Sequence, residues 1–446
     1  MSSVLQCMES GKTYPMDSVM YTSPDTGALL DVWHDLDALK KTVTRKTFDD
    51  RLGTLRRPYN SGVWRYKELI YPGIDEQLIV SKPEGNTNLY DVPRLAEWAG
   101  VNTLYLKHEG ENPTGSFKDR GMTGGLTQAR FLGVDRVACA STGNTSAALA
   151  SYAAAAGLQG VIFFEDKNIA LGKLSQAIAY GATCVQISAD FDRNLELVRE
   201  VSDRMGIYVL NSINPFRLEG QKSIMFEVIQ QLQWHAPDWI VVPGGNLGNS
   251  SAFGKALYEL HYLGLIEKMP RIAVVQAEGA SPLYRSFDPD ADRDGFDRHQ
   301  DELMPMKAKT IASAIKIGNP VNFPKAVRAL RWTNGTVEMV TDQEIMDAKA
   351  LIDGAGIGCE PASACSLAGT RKLVESGVIK PDETVVGVLT GHLLKDPDAT
   401  IGYHQNTLDN LHANYPNHML KVGDDADEIV RLLTEHNQQL ERAATT

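Results

Sequence analysis

Cysteine is scarce in this chain. Five residues in 446, Cys7, Cys139, Cys184, Cys359 and Cys365, are scattered and odd in number. That excludes a disulfide framework and fits a reducing compartment. Long apolar runs are missing too: residues 147–156 are Ala-rich but too short to span a bilayer. Positive charge is in deficit, 44 Lys and Arg against 56 Asp and Glu, a net charge of −12. Nucleic acid and membrane surfaces are therefore not expected partners. No basic stretch followed by an apolar core opens the chain, so the cytoplasm is the expected location. The composition that remains is that of a soluble α/β enzyme, with enough apolar residues for two or three domains.

Residues 1–32 are turn-rich and resemble two knuckles of a zinc ribbon with most cysteines replaced. Cys7 and Ser10 stand at one knuckle, Ser23 with Asp25 or Thr26 at the other. A closed zinc site needs four ligands, and one thiolate cannot supply them; no metal is expected. Further on, strand and helix patterns alternate. Strands are expected at 103–107, 134–140, 160–164, 182–187 and 207–210, then at 239–243, 271–275 and 384–389. Helices are expected at 122–131, 174–180, 195–205, 224–234, 250–263, 342–352 and 366–375. Such alternation predicts parallel sheets covered on both faces. Residues 287–302 hold seven acidic groups against Arg293 and Arg298, which predicts a solvated insertion. The tail at 427–434 has the spacing of an amphipathic helix, expected to pack on the chain or on a second subunit.

The segment Asn112-Pro113-Thr114-Gly115-Ser116-Phe117-Lys118-Asp119-Arg120-Gly121 organises the rest. Ser116 reads as an N-cap with Asp119 three residues on, a capping-box spacing. Lys118 then lies in a first helical turn, where the positive macrodipole disfavours a cation. A neutral amine is what Schiff-base chemistry on a carbonyl requires. A surface lysine at a helix start is the competing reading.

Three more loops bear on that choice. Pro243-Gly244-Gly245-Asn246-Leu247-Gly248-Asn249-Ser250 joins a buried strand to a helix, and converging N–H groups there make a phosphate cradle. No Lys-Ser/Thr closes it as in a Walker loop. Glu278 keeps a dinucleotide reading open, but Asn246 stands where the second fingerprint glycine is needed. Ser141-Thr142-Gly143-Asn144-Thr145 is rich in donors, fit for a carboxylate at the helix start and, through Asn144, a phenolic oxygen. Ordinary N-capping by Ser or Thr is its alternative. Thr390, at the end of a buried strand, is placed to meet a ring nitrogen. An amine, a phosphate cradle, an amide donor and that hydroxyl together describe one ligand, pyridoxal 5'-phosphate.

The segments 115–122, 140–145 and 243–249 resemble those of threonine synthases, in the tryptophan synthase β-like family of fold type II. So does Asn211-Ser212-Ile213-Asn214-Pro215-Phe216-Arg217-Leu218-Glu219-Gly220-Gln221-Lys222. The resemblance implies a two-domain α/β fold of parallel-type twisted sheets flanked by helices, preceded by a degenerate ribbon-like segment, 1–32. A large cofactor-binding domain would comprise 33–108 and 211–446, and a small mobile α/β domain 109–210. It implies conversion of O-phospho-L-homoserine and water to L-threonine and phosphate by γ-elimination and β-addition. Lys118 would carry the cofactor and move protons. Asn144 would hold the ring hydroxyl, Gly245, Asn246, Leu247, Gly248 and Asn249 the cofactor phosphate, and Thr390 the ring nitrogen. The substrate would be held by Ser141, Thr142, Thr145, Ser212, Arg217 and Asn246, Arg217 serving its phosphate. An ion pair of Arg217 with Glu219 is the competing reading. A homodimer is expected, and the nearest alternative activity is that of a threonine or serine dehydratase.

Overall fold

Alternation of apolar residues along the strands decides the layering. The structure, a computed structural model, describes residues 3–165, 171–188, 191–287, 297 and 301–444. Strands β1 (Ser3–Cys7), β2 (Thr13–Tyr14) and β3 (Leu30–His34) form a small antiparallel sheet ordered β2-β1-β3. Next, β4 (Leu89–Asp91) and β5 (Thr103–His108) begin a second sheet. The chain then leaves it to build a third from β6 (Arg136–Ala140), β7 (Gln159–Glu165), β8 (Thr183–Ile187) and β9 (Tyr208–Val209). It returns through β10 (Trp239–Pro243), β11 (Arg271–Ala277), β12 (Thr336–Val340) and β13 (Thr384–Leu389). The second sheet runs β12-β11-β10-β13-β5-β4, parallel except for the β4 edge; the third runs β8-β7-β6-β9, all parallel.

Successive residues of one strand serve opposite cores, as the pleat demands. Ile240, Val242, Ile272, Val274, Val386 and Val388 face one cluster, with Phe226 and Phe253. Trp239, Val241, Ala273, Val275, Val385 and Leu389 face the other, with Leu367 and Leu373. Each such aliphatic side chain contributes about 1.5–3 kcal/mol on burial. The covering helices are α1 (Lys118–Phe131), α2 (Asn144–Ala156), α3 (Pro215–Gln231), α4 (Gly248–Tyr262), α5 (Phe323–Trp332) and α6 (Pro361–Glu375). Among the described residues no helix is long and apolar enough to cross a membrane. All five cysteines are free.

Several elements depart from the sequence expectations. Ser116 does not cap α1: the N-cap is Phe117, without a side-chain bond. Asp119 instead turns back to accept from the Thr114 N–H at 2.7 Å and the Thr114 hydroxyl at 2.5 Å. The tight turn before the helix captures that carboxylate. Helix α3 starts well before 224, with Asn214 accepting from the Phe216 N–H and Pro215 in the first turn, a start the Asn-Pro pair encodes. Helix α6 starts at Pro361 rather than 366. The strands β1 to β3, β4 and β12 were not anticipated; β12 is only half-buried at an edge, which weakens its apolar signature. The tail is a longer helix, Ala426–Ala444, and within the chain Ile429, Val430 and Leu433 stay exposed. Of the acidic insertion, 288–296 and 298–300 lie outside the described residues.

The two knuckle turns do meet. Cys7 Sγ lies 3.5 Å from the Thr26 hydroxyl and accepts from the Ser10 N–H, while Lys12 pairs with Asp25 at 2.6 Å. Hydrogen bonds join the positions a metal would hold. Strand β3 crosses residue 32 and ties this sheet to the large one through a buried charge cluster. His34 Nε2 lies 3.0 Å from Glu219, which also pairs with Lys222 and Lys255.

Candidate functional site

The four loops singled out in the sequence follow parallel strands at their carboxyl ends, where parallel sheets open a crevice. They line one cavity of about 480 Å³ between the second and third sheets. All thirteen residues expected to form the site line this cavity.

Long-range backbone pairing sets Lys118 in place. The Phe117 N–H donates to Thr390 O at 3.0 Å and the His392 N–H to Gly115 O at 2.9 Å. The lysine loop is thereby stitched to the end of β13, with Lys118 and Thr390 brought to the same cavity. Burial, and next the charge of Arg217, lower the Lys118 amine to about 7, with Glu360 opposing. The expectation of a depressed amine stands on a different cause: burial and Arg217 dominate, not the helix start alone.

Both expected anion sites are made of free backbone donors. The N-cap of α4, Leu247, sits in the left-handed region at φ +62° and offers no side-chain cap. No protein acceptor meets the N–H groups of Gly245 to Asn249 among the described residues. A helix N-terminus with that many unspent donors is an anion cradle. Gly245 also leaves little room for a side chain, since a Cβ there would lie 3.0 Å from Ile315 Cα. At the start of α2 the cap is Gly143, again with no side-chain bond. The alternative of Ser or Thr capping is thus absent, and the N–H groups of Thr142, Asn144 and Thr145 are left toward the cavity.

Arg217 lines the same cavity as these cradles. It donates Nη1 to Leu210 O at 2.8 Å, and its buried Nε has no partner. Glu219, two residues on, is committed to His34, Lys222 and Lys255, so the alternative ion pair does not form. Burial lowers the guanidinium to about 10, still charged at neutral pH. Beside it Asn246 Nδ2 donates to the Ser212 hydroxyl at 3.2 Å, and Asn322 holds both Ser212 O and Asn246 O.

The sequence reading missed Glu360, which caps α6 at the cavity wall. Its Oε2 accepts from Asn144 Nδ2 at 2.9 Å and its Oε1 from the Thr390 hydroxyl at 3.1 Å. Burial pushes its carboxyl up, against hydrogen bonds from Asn144 and Thr390. Ser363 and Lys395 were missed as well. Lys395 donates to Gln176, joining the loop after β13 to the helix Leu171–Ala179. Nothing local in the sequence marks the acid at 360 as part of a site. Glu278 is exposed just after β11 and does not line the cavity, so it does not serve the glycine loop as a ribose-binding acid.

An amine of low basicity, a cradle with unspent N–H groups, an amide donor and a hydroxyl on one cavity wall fit a phosphorylated aromatic aldehyde. Comparison with known proteins agrees. Residues 80–391 match the family of pyridoxal-phosphate dependent enzymes. The chain is 46% identical to a threonine synthase of Methanocaldococcus jannaschii, over 89% of this chain and 94% of that protein. Against a threonine synthase of Methanosarcina acetivorans the figures are 48%, 89% and 93%. Against threonine synthase 2, chloroplastic, of Arabidopsis thaliana they are 41%, 96% and 83%. Among solved structures, processed threonine deaminase isoform 2 of Solanum lycopersicum superposes with a TM-score of 0.59 at 20% identity, covering 71% of this chain and 88% of that one. Maize serine racemase gives 0.59 at 19%, covering 77% and 98%. At those identities the likeness is one of fold.

Proposed function

The chain belongs to the threonine synthases among the pyridoxal-phosphate dependent enzymes, and from that premise we propose how its residues divide the work. The enzyme is a lyase, and its substrate in this reading is O-phospho-L-homoserine. Pyridoxal phosphate, when bound, supplies an aldehyde for an amine and a ring that takes up electron density from adjoining carbon. Lys118, its amine brought down to about 7, would hold that group through its aldehyde and would then move protons at the substrate Cα and Cβ. The N–H groups from Gly245 to Asn249 hold the cofactor phosphate, Asn144 its ring hydroxyl and Thr390 its ring nitrogen. The substrate carboxylate meets the Ser141 to Thr145 turn. Its phosphate meets Arg217, with Ser212, Asn246 and the hydroxyls of Ser141 and Thr145. Phosphate leaves Cγ and water adds at Cβ, so one water is consumed for each phosphate released. The Lys395–Gln176 contact, between the expected large domain and the expected small mobile domain, helps to exclude bulk water during the steps before that addition.

One observation carries the choice of substrate. Arg217 is a buried cation with no acid partner among the described residues, on the wall of a cavity that also offers a separate N–H cradle for the cofactor. A dehydratase acting on threonine has no second phosphate to place there, whereas a planar guanidinium suits phosphate oxygens. The test is to mix the holoenzyme with O-phospho-L-homoserine and follow inorganic phosphate and threonine. Ammonia from threonine at a comparable rate, with no phosphate release, would sink the reading. The exposed apolar face of Ala426–Ala444 supports a homodimer, read by sedimentation, and the five free thiols support a cytoplasmic location.

A further inference from the structure

The Thr390 hydroxyl has one hydrogen and two lone pairs, and Ser363 and Glu360 decide how they are used. Ser363 Oγ accepts from the Thr390 N–H at 2.8 Å and from the Gly391 N–H at 3.1 Å. Both its lone pairs are used, so its own hydrogen must be donated. The Thr390 hydroxyl, 3.1 Å away, is the nearer of its two acceptors; Gly391 O is at 3.5 Å. Thr390 Oγ1 therefore has one lone pair filled by Ser363, and it spends its single hydrogen on Glu360 Oε1 at 3.1 Å. Only a lone pair is left for the cavity. A hydroxyl in that state suits a ring nitrogen that bears a proton.

The opposite state needs Glu360 to carry the proton. A neutral carboxyl at Oε1 donates to Thr390 Oγ1, which then accepts twice and is free to aim its hydrogen into the cavity. That state suits a bare ring nitrogen. Burial favours the neutral carboxyl. The charges around it are Lys118, at the start of α1, and Lys395, after β13; Asn144 reaches it from α2. Gly391 lies directly against it: a Cβ there would lie 2.4 Å from the carboxyl carbon, so the absence of a side chain at 391 gives the carboxyl its place beside Thr390. Exchange between the two states moves one proton. The Glu360 O–H bond breaks as a hydrogen binds Thr390 Oγ1, and the original Thr390 hydrogen passes to the base facing it. The carboxylate left behind keeps the hydrogen bonds of Asn144 and Thr390.

We propose that Glu360, acting through Thr390, is the positioning residue that stores the proton for the cofactor's ring nitrogen and delivers it when electron density gathers on the ring. This rests on the reading that puts the ring nitrogen opposite Thr390.

Two measurements test it. In the apo-protein at neutral pH, infrared difference spectra between wild type and Glu360→Gln should contain one carboxylic-acid C=O band; its absence overturns the stored proton. In the holoenzyme, pyridoxal phosphate labelled with ¹⁵N in its ring reports the nitrogen directly. Glu360→Gln keeps the shape and the donor of the neutral carboxyl, so its resting ¹⁵N shift should match wild type. Added O-phospho-L-homoserine should move the shift toward the protonated value in wild type only. Thr390→Val should alter the resting shift and Thr390→Ser restore it. With the relay closed, kcat should fall about a hundredfold in Glu360→Gln while cofactor affinity holds. A resting shift indifferent to Thr390→Val overturns the placement of the ring. A resting shift that answers to Thr390→Val, with a substrate response equal in wild type and Glu360→Gln, overturns the role of Glu360 alone.

Discussion

The Lys118 amine stands in the field of the Arg217 guanidinium, one on α1 and the other on α3, and burial together with that charge brings it down to about 7. An ordinary lysine amine, at 10.5, is almost wholly protonated at neutral pH and cannot attack an aldehyde. The neutral fraction sets the rate. Trapping of pyridoxal by the apo-protein should therefore climb as pH rises through about 7 and then level off. Removing the charge in Arg217→Ala relieves part of the depression, so the climb should move to higher pH. Stopped-flow absorbance of the imine reads both profiles. Identical profiles would show that Arg217 has no hold on the amine.

Truncating Arg217 also tests its second task. Loss of one partner from a buried charge pair costs about 2–5 kcal/mol, so kcat/KM for O-phospho-L-homoserine should fall by about thirtyfold or more in Arg217→Ala. Cofactor absorbance at saturating pyridoxal phosphate should persist, since the cradle from Gly245 to Asn249 is untouched. Arg217→Lys should recover little, because an ammonium does not reproduce the planar fork. The Leu210 carbonyl loses its donor in both variants, so thermal unfolding serves as the control.

How far the site was legible in the sequence follows from how local each signal is. The Lys118, Asn144 and Gly245 to Asn249 loops show themselves because a strand-to-helix turn with open N–H groups needs small or donor residues in a short window. Arg217 carries no such local mark; only the resemblance of its whole segment pointed to it. Glu360 was invisible for a geometric reason: its partners Asn144 and Thr390 lie 216 and 30 residues away. The capping error at Ser116 has a different, local cause: spacing suggested one partner for Asp119, and Thr114 in the preceding turn, five residues away, took the carboxylate instead. Buried parallel strands such as β10 announced themselves by unbroken apolar runs, whereas β12 and the N-terminal sheet, half-polar and short, did not.

The crossing of α1 over α3 is set by glycine. A Cβ on Gly220 would lie 1.8 Å from Arg120 O, and one on Gly124 2.6 Å from Phe216 O. Gly to Ala inside a helix ordinarily gains about 0.5–1 kcal/mol. Here backbone overlap outweighs that gain, since overpacking costs about 1–3 kcal/mol or more. Gly220→Ala should lower the unfolding temperature and, by parting the helices that hold Lys118 and Arg217, weaken activity beyond its effect on stability. Gly354→Ala, where nothing lies within 4 Å of the added Cβ, should be neutral or stabilising. Equal behaviour of the two variants in thermal unfolding would refute the account of the crossing.

Two positions past Lys118, Arg120 anchors α1 in a buried ion network. It pairs with Glu109 at 2.6 Å and with Glu227 at 2.9 Å, and Glu227 also takes Lys107 at 2.6 Å and Arg65 at 3.4 Å. Burial alone would push the Glu227 carboxyl up; Arg120 and Lys107 more than offset that and hold it well below its ordinary 4.5. Its contribution is therefore present above that value and is lost as pH falls beneath it. Glu227→Ala leaves three cations against Glu109, and a buried pair broken on one side costs about 3–5 kcal/mol. Glu227→Gln keeps the shape and acceptor oxygen but not the charge, so it should cost less and flatten the loss of stability on acidification. Urea titrations from pH 7 down to about 3 read both effects. If Glu227→Gln retained the wild-type acid slope, the carboxylate would not be what ties α1, and with it Lys118, to the large sheet.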